Sequence, residues 1–255
     1  MFSIKVKNEK EIGIMREAGK KLLSVMDNLA KEVRSNVSTY DLDKLAEELV
    51  FSVGGKPAFK GYGEKRNPFP ATICASINNE VVHGVPRKEK ILKEGDIFKI
   101  DIGMKYQGYF VDMARTFAVG KISKDAQSLM DATRECFWVG IENIKSGSKL
   151  SDFSKAVESY IKSCGYSVVR NLVGHGIGEQ LHEDPQVPNF FDPKMIDYAL
   201  ETGNTLALEP MVNQGDHRTK IGKDGWVFET ADGKLSAHYE NTILITDDGV
   251  EVLTN

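Results

Sequence analysis

Apolar residues recur with helical spacing over residues 8–33, at Ile12, Met15, Ala18, Leu22, Met26, Leu29 and Val33, and predict an amphipathic helix. Asn8 and Glu11 have the spacing of a capping box at its start. Ser38 caps a second predicted helix, with Leu42, Leu45, Ala46, Leu49, Val50 and Val53 on one stripe and Gly54-Gly55 as its stop. Helical spacing returns over residues 126–144, and again after Ser148, where Phe153, Ala156, Val157, Tyr160 and Ile161 precede Gly165. Between the two helical pairs, residues 97–104 and 109–119 are rich in Ile, Phe, Tyr, Val and Thr and read as two strands of a hairpin joined through residues 105–108.

The order of elements repeats. A shift of 111 residues lays Leu42 on Phe153, Ala46 on Val157, Val50 on Ile161 and Gly54 on Gly165. A shift of 108 lays Gly95-Asp96-Ile97-Phe98-Lys99-Ile100-Asp101 on Gly203-Asn204-Thr205-Leu206-Ala207-Leu208-Glu209, in each case a turn, a strand and a terminal carboxylate. Two related halves, roughly residues 8–120 and 121–255, are therefore expected, with a site between them. No Pro/Gly/Ser-rich linker divides the halves, so residues 1–255 are expected to form a single domain of α+β class.

Composition narrows the function. The 255 residues carry a net charge of -4, which argues against a dedicated nucleic-acid binder. Cys74, Cys136 and Cys164 are odd in number and widely spaced, pointing to a reducing, cytoplasmic setting rather than a disulfide framework. No stretch reaches the length of a membrane span, and the chain is expected to be unexported and monomeric.

Four carboxylates interrupt these strands. If the hairpin turns on Tyr106-Gln107, Asp101 and Asp112 face each other directly, and like charges so placed repel. Glu209 ends one apolar run and Glu240 opens another. Arg115 is available to one acid, but cations are sparse around Glu209, and interior carboxylates need partners. His175 lies in Gly174-His175-Gly176-Ile177-Gly178, where glycines let backbone and ligand approach closely. Four carboxylates with a neutral imidazole carry a charge that two divalent cations would balance. Oxygen-rich ligands with one nitrogen and no thiolate suit Mn, Fe, Co or Zn, and such a pair supports hydrolysis. The HExxH arrangement of thermolysin-like zinc sites is absent from the sequence.

The motifs together carry a resemblance. Ile77-Asn78-Asn79-Glu80-Val81-Val82-His83-Gly84-Val85-Pro86, Lys99-Ile100-Asp101, Asp112, the glycine-flanked His175, His182-Glu183-Asp184-Pro185-Gln186-Val187, Glu209-Pro210-Met211 and Tyr239-Glu240-Asn241-Thr242 resemble type I methionine aminopeptidases over nearly the whole chain. The resemblance implies the pita-bread fold, with pseudo-two-fold halves and a curved, mostly antiparallel sheet covered by helices. It implies Asp101, Asp112, His175, Glu209 and Glu240 as ligands of two divalent ions, Asp112 and Glu240 bridging, and a metal-bridged hydroxide as nucleophile. His83 and His182 fall at its substrate-facing positions, and Glu209 at the acid that moves protons. His217 and His238 match no catalytic position.

The implied reaction removes N-terminal methionine from nascent chains whose second residue is small, with a transient ribosome contact. Cys74, Phe59, Tyr62, Phe69 and Trp226 are the implied pocket walls, and Asn78 and Ser236 match positions associated with a monovalent cation. The chain departs from the family at Glu64-Lys65-Arg66-Asn67, which looks inserted, and at Leu181, where an aromatic often stands. An Xaa-Pro dipeptidase or aminopeptidase of the same fold is the alternative, disfavoured because the catalytic pattern starts almost at residue 8. A catalytically silent, partner-binding homologue is the other, disfavoured because all five ligands and both histidines are present.

Overall fold

The structure, a computed structural model, describes residues 4–142 and 144–255. Helix α1 (Glu9–Glu32) begins at Asn8, whose side chain accepts from the Lys10 and Glu11 N–H groups while Glu11 accepts from the Asn8 N–H, the expected capping box. Helix α2 (Thr39–Ser52) is capped by Ser38, whose Oγ accepts from the Asp41 N–H. Strands β1 (Lys56–Pro57), β2 (Ile73–Ile77) and β3 (Glu80–Val82) lead to the long hairpin of β4 (Ile97–Tyr106) and β5 (Tyr109–Ala118). Helices α3 (Lys124–Ile141) and α4 (Leu150–Ser163) follow.

The last strands are β6 (Ser167–Val168), β7 (Gly174–Gly176), β8 (Glu183–Val187), β9 (Thr205–Leu208), β10 (Met211–Asn213), β11 (Thr219–Ile221), β12 (Phe228–Thr230), β13 (Ser236–His238), β14 (Glu240–Ile245) and β15 (Val250–Val252). Two helix boundaries differ from expectation. Helix α3 ends at Ile141, and the expected continuation to Ile144 passes through residue 143, outside the described residues, as do residues 1–3. Helix α4 starts after Lys149 rather than Ser148, because the Lys149 N–H bonds the Asp152 carboxylate, while Ser148 Oγ turns back to the Lys145 N–H.

The repeat is visible in the architecture. Helices α2 and α4 are each 14 residues long and begin 111 residues apart, and β4 and β9 begin 108 apart. The main sheet runs β1-β4-β5-β14-β9-β7-β8, with β2 on the far edge of β4 and β15 on β14. Strands β2-β4-β5 and β7-β9-β14 are thus equivalent trios, and the pseudo-two-fold axis passes between β5 and β14. There the Thr242 hydroxyl accepts from the Asp112 N–H and donates to the Asp112 carbonyl oxygen, at 2.8 and 2.9 Å. Every named strand pairing is antiparallel, so this is the pita-bread fold expected of the sequence.

Strand alternation decides which side chains meet the helices. Ile100, Ile102 and Met104 of β4 and Val111 and Met113 of β5 share one core with Met15, Leu22, Leu29, Leu42 and Val50 of α1 and α2. Leu206, Leu208, Ile243 and Ile245 share a second with Phe137, Phe153, Val157 and Ile161 of α3 and α4. The intervening residues, Asp101, Asp112 and Glu240 among them, project from the opposite face.

The hairpin register departs from expectation by two residues. Gly103, not Asp101, is opposite Asp112, and Asp101 is opposite Ala114. The turn residues are Gln107 and Gly108, both with positive φ (47° and 97°), the backbone a two-residue primed turn demands and Gly supplies. A one-residue slip would have inverted the face; a two-residue slip leaves both carboxylates on the same side, diagonal to each other.

Candidate metal centre and adjoining pockets

His175 sits in the short strand β7, between Gln186 of β8 and Ala207 of β9. Its flanking glycines are there because the neighbours are too close for a side chain: a Cβ on Gly174 would collide with the Ala207 carbonyl oxygen, and one on Gly176 with that of Asp184. The ring is 8% exposed. Nδ1 donates to the Gly176 carbonyl oxygen at 2.8 Å, which fixes the proton there and leaves the Nε2 lone pair facing Glu209, 3.7 Å away. Burial, and then His182, lower its pKa to about 3, so it is neutral at physiological pH.

The four carboxylates converge as expected, at 9% exposure or less for Asp101, Asp112 and Glu240. Burial first, and repulsion from the other acids second, push Asp112, Glu209 and Glu240 well above the usual carboxylate range, and burial raises Asp101 to about 7. Among the described residues no Lys or Arg side chain pairs with any of them. Arg115, the cation the sequence made available, instead donates to the carbonyl oxygens of Ala114, Glu240 and Thr254 and to Asn241 Oδ1. One oxygen of Asp101 and one of Asp112 are buried with no hydrogen-bond partner among the described residues.

Asp112, His175 and Glu240 offer donor atoms within 4.8 Å of one another, and Asp101, Glu240 and His238 do the same. The residues present therefore fit divalent cations: they are oxygen-rich, uncompensated in charge, preoriented and shielded from water.

At the two residues of the implied monovalent-cation position, Lys99, 1% exposed, donates from Nζ to the backbone carbonyl oxygens of Asn78 and Ser236, each at 2.8 Å. Burial lowers its pKa to about 7.

Two cavities meet at this cluster. A small one of about 100 Å³ is lined by Phe59, Tyr62, Phe69, Cys74, Leu181 and Trp226, with the four acids, His83, His175 and His182 along its polar side. The Phe69 ring packs edge-on against Trp226 at 5.2 Å and against Phe59 at 6.5 Å. A larger cleft of about 690 Å³ adjoins it, reaching Lys5, Leu172, Gln180 and Met211, and shares His83, His175, His182 and Glu209 with the small cavity. The expected insertion, Glu64-Lys65-Arg66-Asn67, is wholly exposed. Gly61 and Tyr62 close that loop through backbone bonds to Phe69, at 2.8 and 2.7 Å.

His83 stands at the cavity junction with φ of 59°, its ring edge-on to Phe228, and burial followed by His182 lowers its pKa to about 4. His182 is held from behind: Tyr62 Oη lies 2.5 Å from Nδ1, and the His175 ring packs edge-on at 4.3 Å. Tyr62 therefore orients a histidine as well as lining the pocket, a role its sequence position did not announce. His238, which matched no catalytic position, is at the centre: it is 1% exposed, with Nε2 3.8 Å from Glu240 and 3.9 Å from Glu209. The signal was present in strand periodicity, since His238 precedes Glu240 by two residues. His217 remains apart, beside Asp216 and half-exposed.

This fold and this cluster define a pita-bread metallopeptidase, and residues 13–247 match the sequence pattern of Metallopeptidase family M24. The chain is similar to a methionine aminopeptidase of Clostridium acetobutylicum, 47% identical over 253 residues that cover 98% of each. It is similar to the crystal structure of a methionine aminopeptidase from Thermotoga maritima, with TM-score 0.94, 42% identity and 99% of both chains covered. A solved Xaa-Pro dipeptidase from Bacillus anthracis shares the fold at TM-score 0.79 and 25% identity, and the chain spans 62% of it. The chain belongs to the methionine aminopeptidases of family M24. None of its described helices is long and apolar enough to cross a membrane.

Proposed function

We propose that this protein removes the N-terminal methionine from nascent proteins and peptides whose second residue is small, acting in the cytoplasm as a monomer and a single catalytic domain. The observation that carries this reading is the meeting of a small, mainly apolar pocket and a much larger cleft at one carboxylate and imidazole cluster. A chain end can place one apolar side chain in the small pocket while the rest leaves through the cleft, an arrangement that suits an exopeptidase. Phe59, Phe69, Trp226, Cys74 and Leu181 offer the flat and polarisable walls that a thioether prefers.

Asp101, Asp112, His175, Glu209 and Glu240 would hold two divalent ions, the number that balances four carboxylates. When bound, such ions lower the pKa of water and polarise a carbonyl. The protein supplies the rest. His83 and His182 are placed to donate to the scissile amide, and a Tyr62 hydroxyl donating to His182 Nδ1 keeps the His182 proton on Nε2, toward the cleft. Glu209, at the junction of the two cavities, would take a proton from the attacking water and return it to the leaving nitrogen.

Release of methionine from Met-Ala-Ser, with an Ala-Pro peptide as control, tests reaction and specificity together. Cleavage of the methionyl peptide alone, lost on chelation and restored by Mn or Co, is expected. Cleavage only before proline would transfer the protein to the Xaa-Pro enzymes, and cleavage of neither would favour a binding role.

A further inference from the structure

We infer that His238 is a sixth protein donor to the metal centre, giving the ion beside Asp101 and Glu240 an imidazole of its own. The inference rests on the metal-dependent reading above. Both ring nitrogens of His238 are buried and, among the described residues, have no hydrogen-bond partner, an arrangement that costs free energy and that an ion at Nε2 would relieve at that nitrogen. Nε2 lies too far from the Glu209 and Glu240 oxygens for a hydrogen bond, at 3.9 and 3.8 Å. The Glu240 separation is within the about 4 Å that two metal bonds of 2.0–2.2 Å can span. His238, Asp101 and Glu240 present donor atoms within 4.8 Å of one another, and this group shares the Glu240 carboxylate with the group of Asp112, His175 and Glu240.

The backbone around the ring is held by a reciprocal pair of contacts. The His238 N–H donates to Thr116 Oγ1 at 3.0 Å, and the same hydroxyl donates back to the His238 carbonyl oxygen at 2.8 Å. Thr116 is on β5, which also carries Asp112, so the ring and the carboxylates share one frame. Among the described residues no side chain hydrogen-bonds the ring, and Lys99 and Arg115, the nearby cations, spend their protons on carbonyl oxygens and Asn241.

The chemical consequence is a change of preference. With Asp101, Asp112 and Glu240 alone, one ion would have an all-oxygen set suited to Mg or Mn; an added imidazole favours Fe, Co or Zn. Each ion would then have one nitrogen ligand, His175 for one and His238 for the other.

Cobalt(II) is the probe, because protons on imidazoles bound to it show large hyperfine shifts. The full chain is titrated to two equivalents and its shifted, solvent-exchangeable N–H resonances are counted. Two imidazole resonances are expected in the unaltered protein, with one lost in His238→Gln. That variant should also bind its weaker Co(II) about tenfold or more less tightly, the range for losing a partner that tunes a site, while Mn(II) affinity changes less. Thermal unfolding of the metal-free variant checks that it folds. A single imidazole resonance in the unaltered protein at two equivalents, unchanged by His238→Gln, overturns the inference and leaves the peptidase reading standing. Failure to bind Co(II) at all overturns both.

Discussion

Replacing Asp101 by Asn tests the charge logic of the centre without disturbing its shape. In the metal-free protein Asp101 is one of four clustered acids with which no Lys or Arg among the described residues pairs, and burial raises its carboxyl from 3.8 to about 7. For an acid raised in this way, the stabilising contribution is complete below the unfolded value and is lost as pH climbs through the folded one. The metal-free protein should therefore lose stability between about pH 4 and pH 8. A rise of that size corresponds to about 4 kcal/mol, and the interaction shared with Asp112 reduces the part released by one substitution to roughly 1–4 kcal/mol. Asn keeps the volume and offers an N–H toward Asp112. Metal-free Asp101→Asn should consequently unfold at a higher temperature than the unaltered protein at pH 8, by about 2–4 °C per kcal/mol, and the two should converge near pH 4. Added Co or Mn should reverse the order, because the variant loses a ligand, and peptidase activity should vanish. A metal-free variant that is less stable at pH 8 would refute the argument, since the cost of burying an ionised Asp101 could not then be what limits the stability of the metal-free centre.

His182→Ala should lower turnover by about 10²- to 10³-fold, the cost of losing a donor to a developing oxyanion, while metal content by mass spectrometry stays unchanged; loss of metal would mean that His182 is a ligand. Tyr62→Phe should produce a smaller fall in kcat with little change in methionine affinity, because it frees the His182 ring rather than emptying the pocket. Gly174→Ala forces a methyl group against the Ala207 carbonyl oxygen and should cost about 1–3 kcal/mol in thermal or denaturant unfolding; a neutral result would mean that β7 and β9 separate freely. Activity should be the same in potassium chloride and in tetramethylammonium chloride at equal ionic strength, since Lys99 already bonds both carbonyl oxygens of the monovalent position. Specific stimulation by potassium would show that the lysine yields its place.

What could be read from the sequence followed from periodicities that the fold obeys locally. The stripes of α1 and α2, the capping box at Asn8 and the two repeat shifts survive intact because each reports on a helix face or a strand that packs against a large apolar surface. The hairpin register did not survive, because it is set by which two residues tolerate positive φ, and Gln107-Gly108 wins over Tyr106-Gln107 through the freedom of the glycine. The site is unaffected by the difference, since strand faces have a period of two residues and the slip is two.

The chemistry was legible wherever a charge had to be explained, and illegible wherever a polar group was satisfied by folding. Asp101, Asp112, Glu209 and Glu240 could be suspected because acids in apolar strands demand partners, and no local cation answered the demand. Lys99 raised the same question two residues before Asp101. Its answer lies in carbonyl oxygens 21 and 137 residues away, which no local pattern reveals. Tyr62 and His182 are 120 residues apart and meet only because the loop between Phe59 and Phe69 folds back over the cluster. His238 differs again. Its separation from Glu240 placed it on the correct face, but a neutral ring demands nothing until it is buried with both nitrogens bare. The orphaned atoms, rather than the residue type, turn a histidine with no assigned role into a candidate ligand.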